Sequence, residues 1–506
     1  MNEIDTVQKL LEYATNNFAE KDFCRYIKDG QVQSRSYAQF ASDSFAVCRY
    51  IHNENTGKIN IGFIGSTNYE YIACLTGMII SGNTVIPLSP DTDEEEARFL
   101  FNDAEIGILF CEEKFLPVAE KLKCTCSTLQ RVICLGDSSF FEDIFVRFAD
   151  TDGKGLSSLT CDSESTALIV YTSGTTGTKK GVLLSNGNLA ANSTYDTYKM
   201  AKGDVSFSIL PMHHIFCYAC DVLKTLYDGG TLCLNGELSE IYKNFLLFQP
   251  TVMRIVPAIC RSILTRIKLA HRRNPSLTKR EAAETVVGKN FKRMIAGSAF
   301  LSSSLIDELE QYGIIARQGY GMSECSPRIT TADFSDECKY SNGILIGVDE
   351  VRIVEGEIQI KGPSVTSGYH KRPEATAEAF TEDGYLKTGD LGYIENNHIY
   401  LTGRKKNIIV LSNGENISPE LIENKFSDEL SIKEIVVFAK DDKICAEILP
   451  EDDVDHSVIE EIIYRINCDS DTDKQIEEFY LRNTPFEKTS TGKIKRSSFS
   501  YKKENG

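Results

Sequence analysis

The 506 residues contain no tryptophan, so no pocket of this chain is gated or floored by an indole. Long apolar runs are missing as well. The most apolar segment, Tyr71 to Leu88, is interrupted by Ser81-Gly82-Asn83 and suits a buried helix followed by a strand, not a membrane span. The start, Met1-Asn2-Glu3-Ile4-Asp5, has neither the basic region nor the apolar stretch of a secretory signal. Positive charge is in deficit: 55 Lys and Arg against 73 Asp and Glu give 55 − 73 = −18. Such a chain repels a polyanion over most of its surface, which excludes nucleic acid as the main partner. Any anionic substrate must be held by a local site.

The seven histidines show no metal-ligand cluster. The sixteen cysteines are scattered without paired spacing, and the expectation is reduced thiols in a cytoplasmic protein. Cys217-Tyr218-Ala219-Cys220 has redox or metal spacing, but no second such pair accompanies it. It reads as two small apolar residues in a buried helix turn. Neither repeats nor low-complexity segments occur.

What is present is ample material for a core: 42% hydrophobic and 25% charged residues in a chain long enough to form more than one packed unit. Asn60 to Gly65 reads as a buried strand, Tyr69 to Ser81 as a helix, and Thr84 to Leu88 as the next strand. Asp93-Glu94-Glu95-Glu96 opens a helix, with acids at its positive end, and Gly107 to Phe110 is another strand. This β-α-β rhythm predicts an α/β fold with largely parallel sheets. From about Gly343 the texture changes to short alternating strands, Val351 to Val354 and Glu357 to Ile360, separated by Glu355-Gly356. Past Arg404 to Lys406 a smaller α/β unit is expected, with a strand at Glu434 to Phe438 and a helix at Val458 to Ile466. The domains expected are 1–404 and 405–506.

The strongest motif is Ala167-Leu168-Ile169-Val170-Tyr171-Thr172-Ser173-Gly174-Thr175-Thr176-Gly177-Thr178-Lys179-Lys180-Gly181-Val182. An apolar strand runs into a loop of hydroxyls and glycines with two lysines. Glycines allow close backbone approach, successive N–H groups form an anion-binding nest, and hydroxyls and a lysine add donors and charge. The combination suits a polyphosphate. It is not a P-loop, because no Gly-Lys pair in the chain is followed by Ser or Thr.

Tyr171 to Val182 resembles the phosphate-binding signature of the adenylate-forming superfamily, which comprises acyl-CoA synthetases, firefly-luciferase-like enzymes and peptide-synthetase adenylation domains. Further blocks follow in that family's order. Pro211-Met212-His213-His214-Ile215-Phe216 is similar to its aromatic acid-pocket loop, and Ala296-Gly297-Ser298-Ala299-Phe300-Leu301 to its adenine-side loop. Gln318-Gly319-Tyr320-Gly321-Met322-Ser323-Glu324 and Lys387-Thr388-Gly389-Asp390-Leu391-Gly392 resemble its next two blocks. Gly403-Arg404-Lys405-Lys406 and Thr491-Gly492-Lys493-Ile494 resemble its hinge and catalytic-lysine blocks. Asn413-Gly414-Glu415-Asn416-Ile417 and Pro485-Phe486-Glu487-Lys488-Thr489 lean toward long-chain fatty acid–CoA ligases.

The resemblance implies a large N-terminal domain of parallel α/β sheets with a small antiparallel β region, and a small mobile C-terminal α+β domain. It implies ATP-dependent activation of a carboxylic acid, fatty or otherwise apolar, to an acyl-adenylate, then transfer to the thiol of coenzyme A. Thr172, Ser173, Gly174, Thr175, Thr176 and Gly177 would hold the β- and γ-phosphates with help from Lys180, Thr176 being counted among the catalytic residues. Tyr320 would stack on adenine, lined by Ala299, Gln318 and Gly319, with Gly321 and Ser323 in the same nucleotide-binding block. Asp390 would accept the ribose hydroxyls, and Arg404 would reach the sugar or phosphate. Glu324 is the implied Mg²⁺ ligand. Lys493 would stabilise charge as the carboxylate attacks the α-phosphate. Lys406 takes the hinge position, and His214 would gate or position the acid.

The chain departs from the family at Lys179 (commonly Pro), Ser323 (Thr), Ser298 (Gly) and Phe300 (Pro), and the Tyr340 to Glu357 segment is short. A second expectation is a freestanding adenylation enzyme loading an amino, aryl or fatty acid onto a phosphopantetheinyl carrier protein in trans, since no carrier domain follows the Lys493 block. Arg266 to Arg280 and Phe291 to Arg293 are locally basic, which leaves steering of CoA, a carrier protein or peripheral contact with an anionic membrane open.

Overall fold

The computed structural model describes residues 4–54, 57–136, 138–149, 155–173, 179–195, 203–412, 414–471, 474–488 and 494–496. Two α/β sheets dominate. The first runs in the order Arg131–Cys134, Ile106–Cys111, Asn60–Ile64, Thr84–Leu88, Thr166–Ser173, Lys179–Ser185. Its strands are parallel except for the final hairpin, Thr166–Ser173 against Lys179–Ser185. The second runs Ile315–Gln318, Arg293–Ala296, Val252–Ile255, Val205–Ser208, Thr231–Leu234, Asp22–Lys28, Gln31–Ser36, again parallel up to its last pair.

Local chemistry sets the elements. Helix Tyr69–Ile80 starts at Asn68, whose side chain accepts from the Tyr71 N–H, and every residue of it except Glu70 is buried. Helix Glu94–Asp103 is capped by Asp93 and carries Glu94, Glu95 and Glu96 in its first turn, where the helix dipole favours them. The strand Asn60–Ile64 is apolar on both faces: Ile61 and Phe63 face one core, Ile64 the other. That pattern belongs to a strand covered on both sides. Residues of both sheets meet in one core through the helices Val7–Phe18, Tyr37–Glu54 and Tyr69–Ile80, and two further cores cover the outer faces. Each fully buried Phe, Leu or Ile there contributes about 1.5–3 kcal/mol.

A six-stranded sheet follows, in the order Thr330–Thr331, Ile344–Leu345, His398–Arg404, Leu386–Glu395, Glu357–Lys361, Glu350–Val354, antiparallel throughout. The expected turn at Glu355-Gly356 is a two-residue hairpin loop with positive φ at both positions. From Ile409 onward a separate core forms around Ile422, Val437, Ile448, Ile459 and Ile463. It joins helix Pro419–Lys425, strands Ile432–Lys440, Lys443–Pro450 and Glu478–Leu481, and helix His456–Cys468. The strand and helix there are longer than the sequence pattern predicts, because the tight turn at Asp441-Asp442 extends the pairing to Lys440 and the helix begins right after Asp455. Among the described residues no helix is long and apolar enough to cross a membrane.

Candidate active site

Asp390, in the antiparallel sheet, has a partner on each carboxylate oxygen. Strand pairing sets it directly opposite Arg404, whose Nε lies 2.7 Å from its Oδ1. The Tyr320 hydroxyl donates to the other oxygen at 2.7 Å. Burial, and then Asp390 itself, hold the Tyr320 phenol well above its ordinary pKa, so it stays a donor. The backbone N–H of Asp390 is tied to Thr388 Oγ1 at 3.1 Å, and Thr388 in turn donates to the Ile358 carbonyl at 2.8 Å. The carboxylate is therefore aimed by its own strand.

Tyr320 follows the end of strand Ile315–Gln318. Its N–H donates to Thr330 Oγ1 at 2.7 Å, and its carbonyl accepts from Ile329 and Thr330. A Cβ on Gly321 would strike the Pro327 carbonyl, so only glycine permits this close return of the chain. Gln318 is buried, its Oε1 accepting from the Leu301 N–H at 3.0 Å. Gly319 donates to the Ala296 carbonyl at 2.9 Å. These bonds hold the Gly297 to Leu301 loop, with Ala299 on it, against Gln318 and Gly319, which precede Tyr320.

Glu324 sits in the short turn Ser323–Cys325 and is nearly sealed, at 8% exposure. Its Oε1 accepts from the Tyr369 hydroxyl at 2.9 Å. Burial pushes its carboxyl above the usual range, opposed by a backbone hydrogen bond, Tyr369 and Arg404. Among the described residues no lysine or arginine pairs with it. The Lys180 ammonium lies 5.1 Å from the centre of the Tyr369 ring, so Tyr369 links this carboxylate to the phosphate-loop hairpin. Backbone bonds fasten the link: His370 N to Gly181 O at 2.7 Å, Leu183 N to Gly368 O at 3.0 Å, and Thr366 N to Glu324 O at 2.7 Å. Lys179 pairs instead with Glu96 on helix Glu94–Asp103.

A buried carboxylate without a cationic partner fits a divalent ion, which would supply the missing countercharge. Among the described residues no group of three or more His, Cys, Asp or Glu side chains gathers as a metal site. A cation at Glu324 would therefore draw its other ligands from substrate phosphates and water.

His213 and His214 have their rings 4.3 Å apart. Burial lowers both; His213, with His214 as a neighbour, is pushed down to about 3. Both are neutral at physiological pH. Past them, Asp221 is buried in a π-helical turn, Tyr218–Leu223. It accepts from Ser208 Oγ at 2.7 Å and from Arg254 Nη1 at 3.2 Å, and Arg254 also reaches Ser206 Oγ at 3.2 Å. Cys217 and Cys220 are buried in the same helical stretch, and burial pushes the Cys217 thiol up, as suits a packing residue.

Residues 11–370 match the model of the AMP-binding enzyme family, and residues 406–504 that of the AMP-binding enzyme C-terminal domain. The chain belongs to the AMP-binding enzyme family. It is 26% identical over 496 residues to long chain acyl-CoA synthetase 7, peroxisomal, of Arabidopsis thaliana, covering 84% of this chain and 70% of that protein. Its fold is that of the anthranilate CoA ligase AuaEII in complex with anthranoyl-AMP (TM-score 0.82, 16% identity, 98% of this chain and 96% of that one). ATP-bound MatB from Rhodopseudomonas palustris is similar as well (TM-score 0.80, 20% identity, 97% and 98%).

In this AMP-binding enzyme the structure brings Tyr320, Asp390, Arg404, Glu324 and Lys180 into one linked set. Thr172 pairs with Lys180 across the hairpin, and Ser173 with Lys179. Gly174, Thr175, Thr176, Gly177 and Lys493 lie outside the described residues, as does the side chain of Ser173. Lys406 is in the turn Lys405–Asn407, directly after Arg404, and its neighbour Lys405 binds Glu357 at 2.9 Å. His214 is separate from the carboxylate set and starts the helical stretch that carries Asp221. The sequence reading missed Tyr369 and the Asp221–Arg254 pair. Tyr369 stands 45 residues from Glu324 and meets it only through tertiary pairing, and an Asp-Arg pair 33 residues apart has no local spacing signal.

Proposed function

We propose that this AMP-binding enzyme activates a fatty or other apolar carboxylic acid with ATP and then passes the acyl group to coenzyme A. In the first half-reaction the acid's carboxylate oxygen attacks the α-phosphorus; the bond to pyrophosphate breaks and an acyl-adenylate forms. In the second, the thiol sulfur attacks the acyl carbon, AMP leaves and the thiol proton passes to solvent. The observation that carries the reading is Asp390, fixed between Tyr320 and Arg404 with its own backbone N–H tied to Thr388.

Each oxygen of Asp390 accepts one bond and has a second lone pair for a ribose hydroxyl. The Tyr320 ring, with Ala299, Gln318 and Gly319, takes the adenine, Gly321 and Ser323 continue that wall, and Arg404 adds charge beside sugar and phosphate. Thr172, Ser173, Gly174, Thr175, Thr176 and Gly177 offer N–H and hydroxyl donors to the β- and γ-phosphates, with Lys180 near them. Glu324 would hold Mg²⁺, which when bound would draw negative charge off the phosphate oxygens. Lys493 neutralises the charge that builds between attacking carboxylate and α-phosphate. Neutral His214 positions the acid. Units 1–404 and 405–506 turn about Lys406 between the half-reactions, so that Lys493 leaves before the thiol enters. The chain works in the cytosol.

Acid-dependent ATP–pyrophosphate exchange over a panel of acids tests this. Exchange with fatty acids, lost in Asp390→Ala, followed by acyl-CoA formation, is the expected result. No exchange with any acid overturns the reading. Exchange with transfer only to a carrier-protein thiol moves it to carrier loading in trans.

A further inference from the structure

Between Ile241 and Arg280 the chain contains no Asp or Glu and nine Lys or Arg, the longest acid-free stretch of a protein with a net charge of −18. It folds as helix Ile241–Phe248, strand Val252–Ile255 and helix Pro257–Arg273 on the outer face of the second sheet. The strands before and after each helix are parallel, so the two helices run in the same direction. They touch where the Arg266 guanidinium stacks 4.1 Å over the Tyr242 ring, with Tyr242 Oη 3.4 Å from Ser262 Oγ. One turn further on, Leu246 follows Tyr242 and Leu269 follows Arg266, toward the C-terminal end of each helix, and helix Lys279–Val287 packs against both helices. Leu246, Leu247 and Leu269 are 47%, 48% and 45% exposed. Among the described residues Arg266, Arg272 and Arg273 enter no ion pair. The next acids are occupied: Glu281 caps its own helix at Thr278, and Glu284 pairs with Arg280.

We propose that this end of the two helices rests on an anionic lipid surface. Leu246, Leu247 and Leu269 enter the headgroup boundary, and Arg266, Arg272 and Arg273 meet lipid phosphates. Arginine beside leucine on a convex helical face is the composition of an interfacial helix: the guanidinium stays with the headgroups while apolar stems and leucines lie deeper. Helix-end arginines also complement the helix dipole, but that asks for one charge in the last turn and not for an acid-free stretch of this length. The acidic remainder of the chain is repelled by the same surface, so docking has a single orientation. The strand ends that carry Gln318 and the Gly297 to Leu301 loop lie at the opposite edge of the sheet, which leaves the active site open to the aqueous side.

The test is co-sedimentation of the full chain with phosphatidylcholine vesicles and with vesicles containing roughly a third phosphatidylglycerol. Binding to the anionic vesicles alone, weakened by added salt, is expected. Arg272→Gln with Arg273→Gln should weaken it about fivefold per arginine. Leu246→Ser with Leu269→Ser should weaken it at unchanged charge. ATP–pyrophosphate exchange with a short-chain acid should be equal in all three proteins, which keeps this result independent of the proposed function. A chain that stays in the supernatant with anionic vesicles, variants that bind as the parent does, or retention by an acidic carrier protein in place of vesicles would each overturn the proposal.

Discussion

Two buried aspartates of this protein have similar partners and differ in how open those partners are. Asp390 is held by Arg404 and a tyrosine hydroxyl, Asp221 by Arg254 and a serine hydroxyl. The Arg404 side chain is 39% exposed over a 6% exposed Asp390, whereas the Arg254–Asp221 pair is sealed at 6% and 2%. Burial raises the Asp221 carboxyl, and Arg254 with Ser208 pulls it back, so this pair chiefly compensates itself. A pair with one open arm has capacity left for a ligand. A pair closed on both sides has none, and its removal is felt in folding.

The largest expected effect falls on the sealed pair. Asp221→Ala strands a buried guanidinium and should cost about 3–5 kcal/mol in denaturant unfolding, with turnover per folded molecule unchanged. A variant that folds normally but loses activity would move Asp221 into the working site and dissolve the contrast. On the ligand side, Lys493→Ala should lower adenylation by about 10²–10³ in kcat while sparing thioester formation from supplied acyl-adenylate. Equal loss of both half-reactions would remove Lys493 from its role. Asp390→Asn should raise the KM for ATP by roughly 10- to 100-fold, the worth of a charged hydrogen bond, with the unfolding midpoint little changed.

The histidine pair sharpens the comparison, because it is half-buried and, among the described residues, has no acidic partner. Folding lowers both pKa values below the ordinary 6.5, His213 to about 3. The unfolded chain therefore binds more protons below pH 6.5. Their contribution is fully present above that pH and is lost as pH falls, by about 1.4 kcal/mol per unit for each histidine until its folded pKa is reached. Unfolding curves between pH 7 and 5 should show this acid limb, and His213→Gln should flatten it. The smallest effect is expected from Tyr369→Phe, which removes one hydrogen bond from Glu324. It should weaken Mg²⁺ binding by roughly 1 kcal/mol, read as a several-fold higher metal requirement in pyrophosphate exchange.

Much of the fold was legible because its signals are local. Asn68 and Asp93 cap helices within three residues, the apolar runs at Asn60 and Thr84 are short and bounded, and Glu355-Gly356 turns a hairpin by its own dihedrals. The blocks around Tyr320, Glu324, Asp390 and Arg404 were legible for the same reason, since each is a compact string with a characteristic order. Sheet order was not legible, because the same βα units can be laid side by side in many permutations and only packing of the shared core selects one. Nor was Tyr369, which reaches Glu324 because residues 366–370 pair with the strand Lys179–Ser185 nearly two hundred residues earlier.

The sequence by itself therefore determined the class of chemistry, through short motifs whose residue types suit phosphate, ribose and adenine, and it determined the β-α-β construction through periodicity. Tertiary structure alone decided which of two similar Asp–Arg pairs keeps an exposed arm, and it left Leu246 and Leu269 exposed on two helices that touch through Tyr242 and Arg266. Exposure and long-range pairing are properties of the packed chain: they depend on which surfaces exclude water from one another, and no local string of residues encodes that.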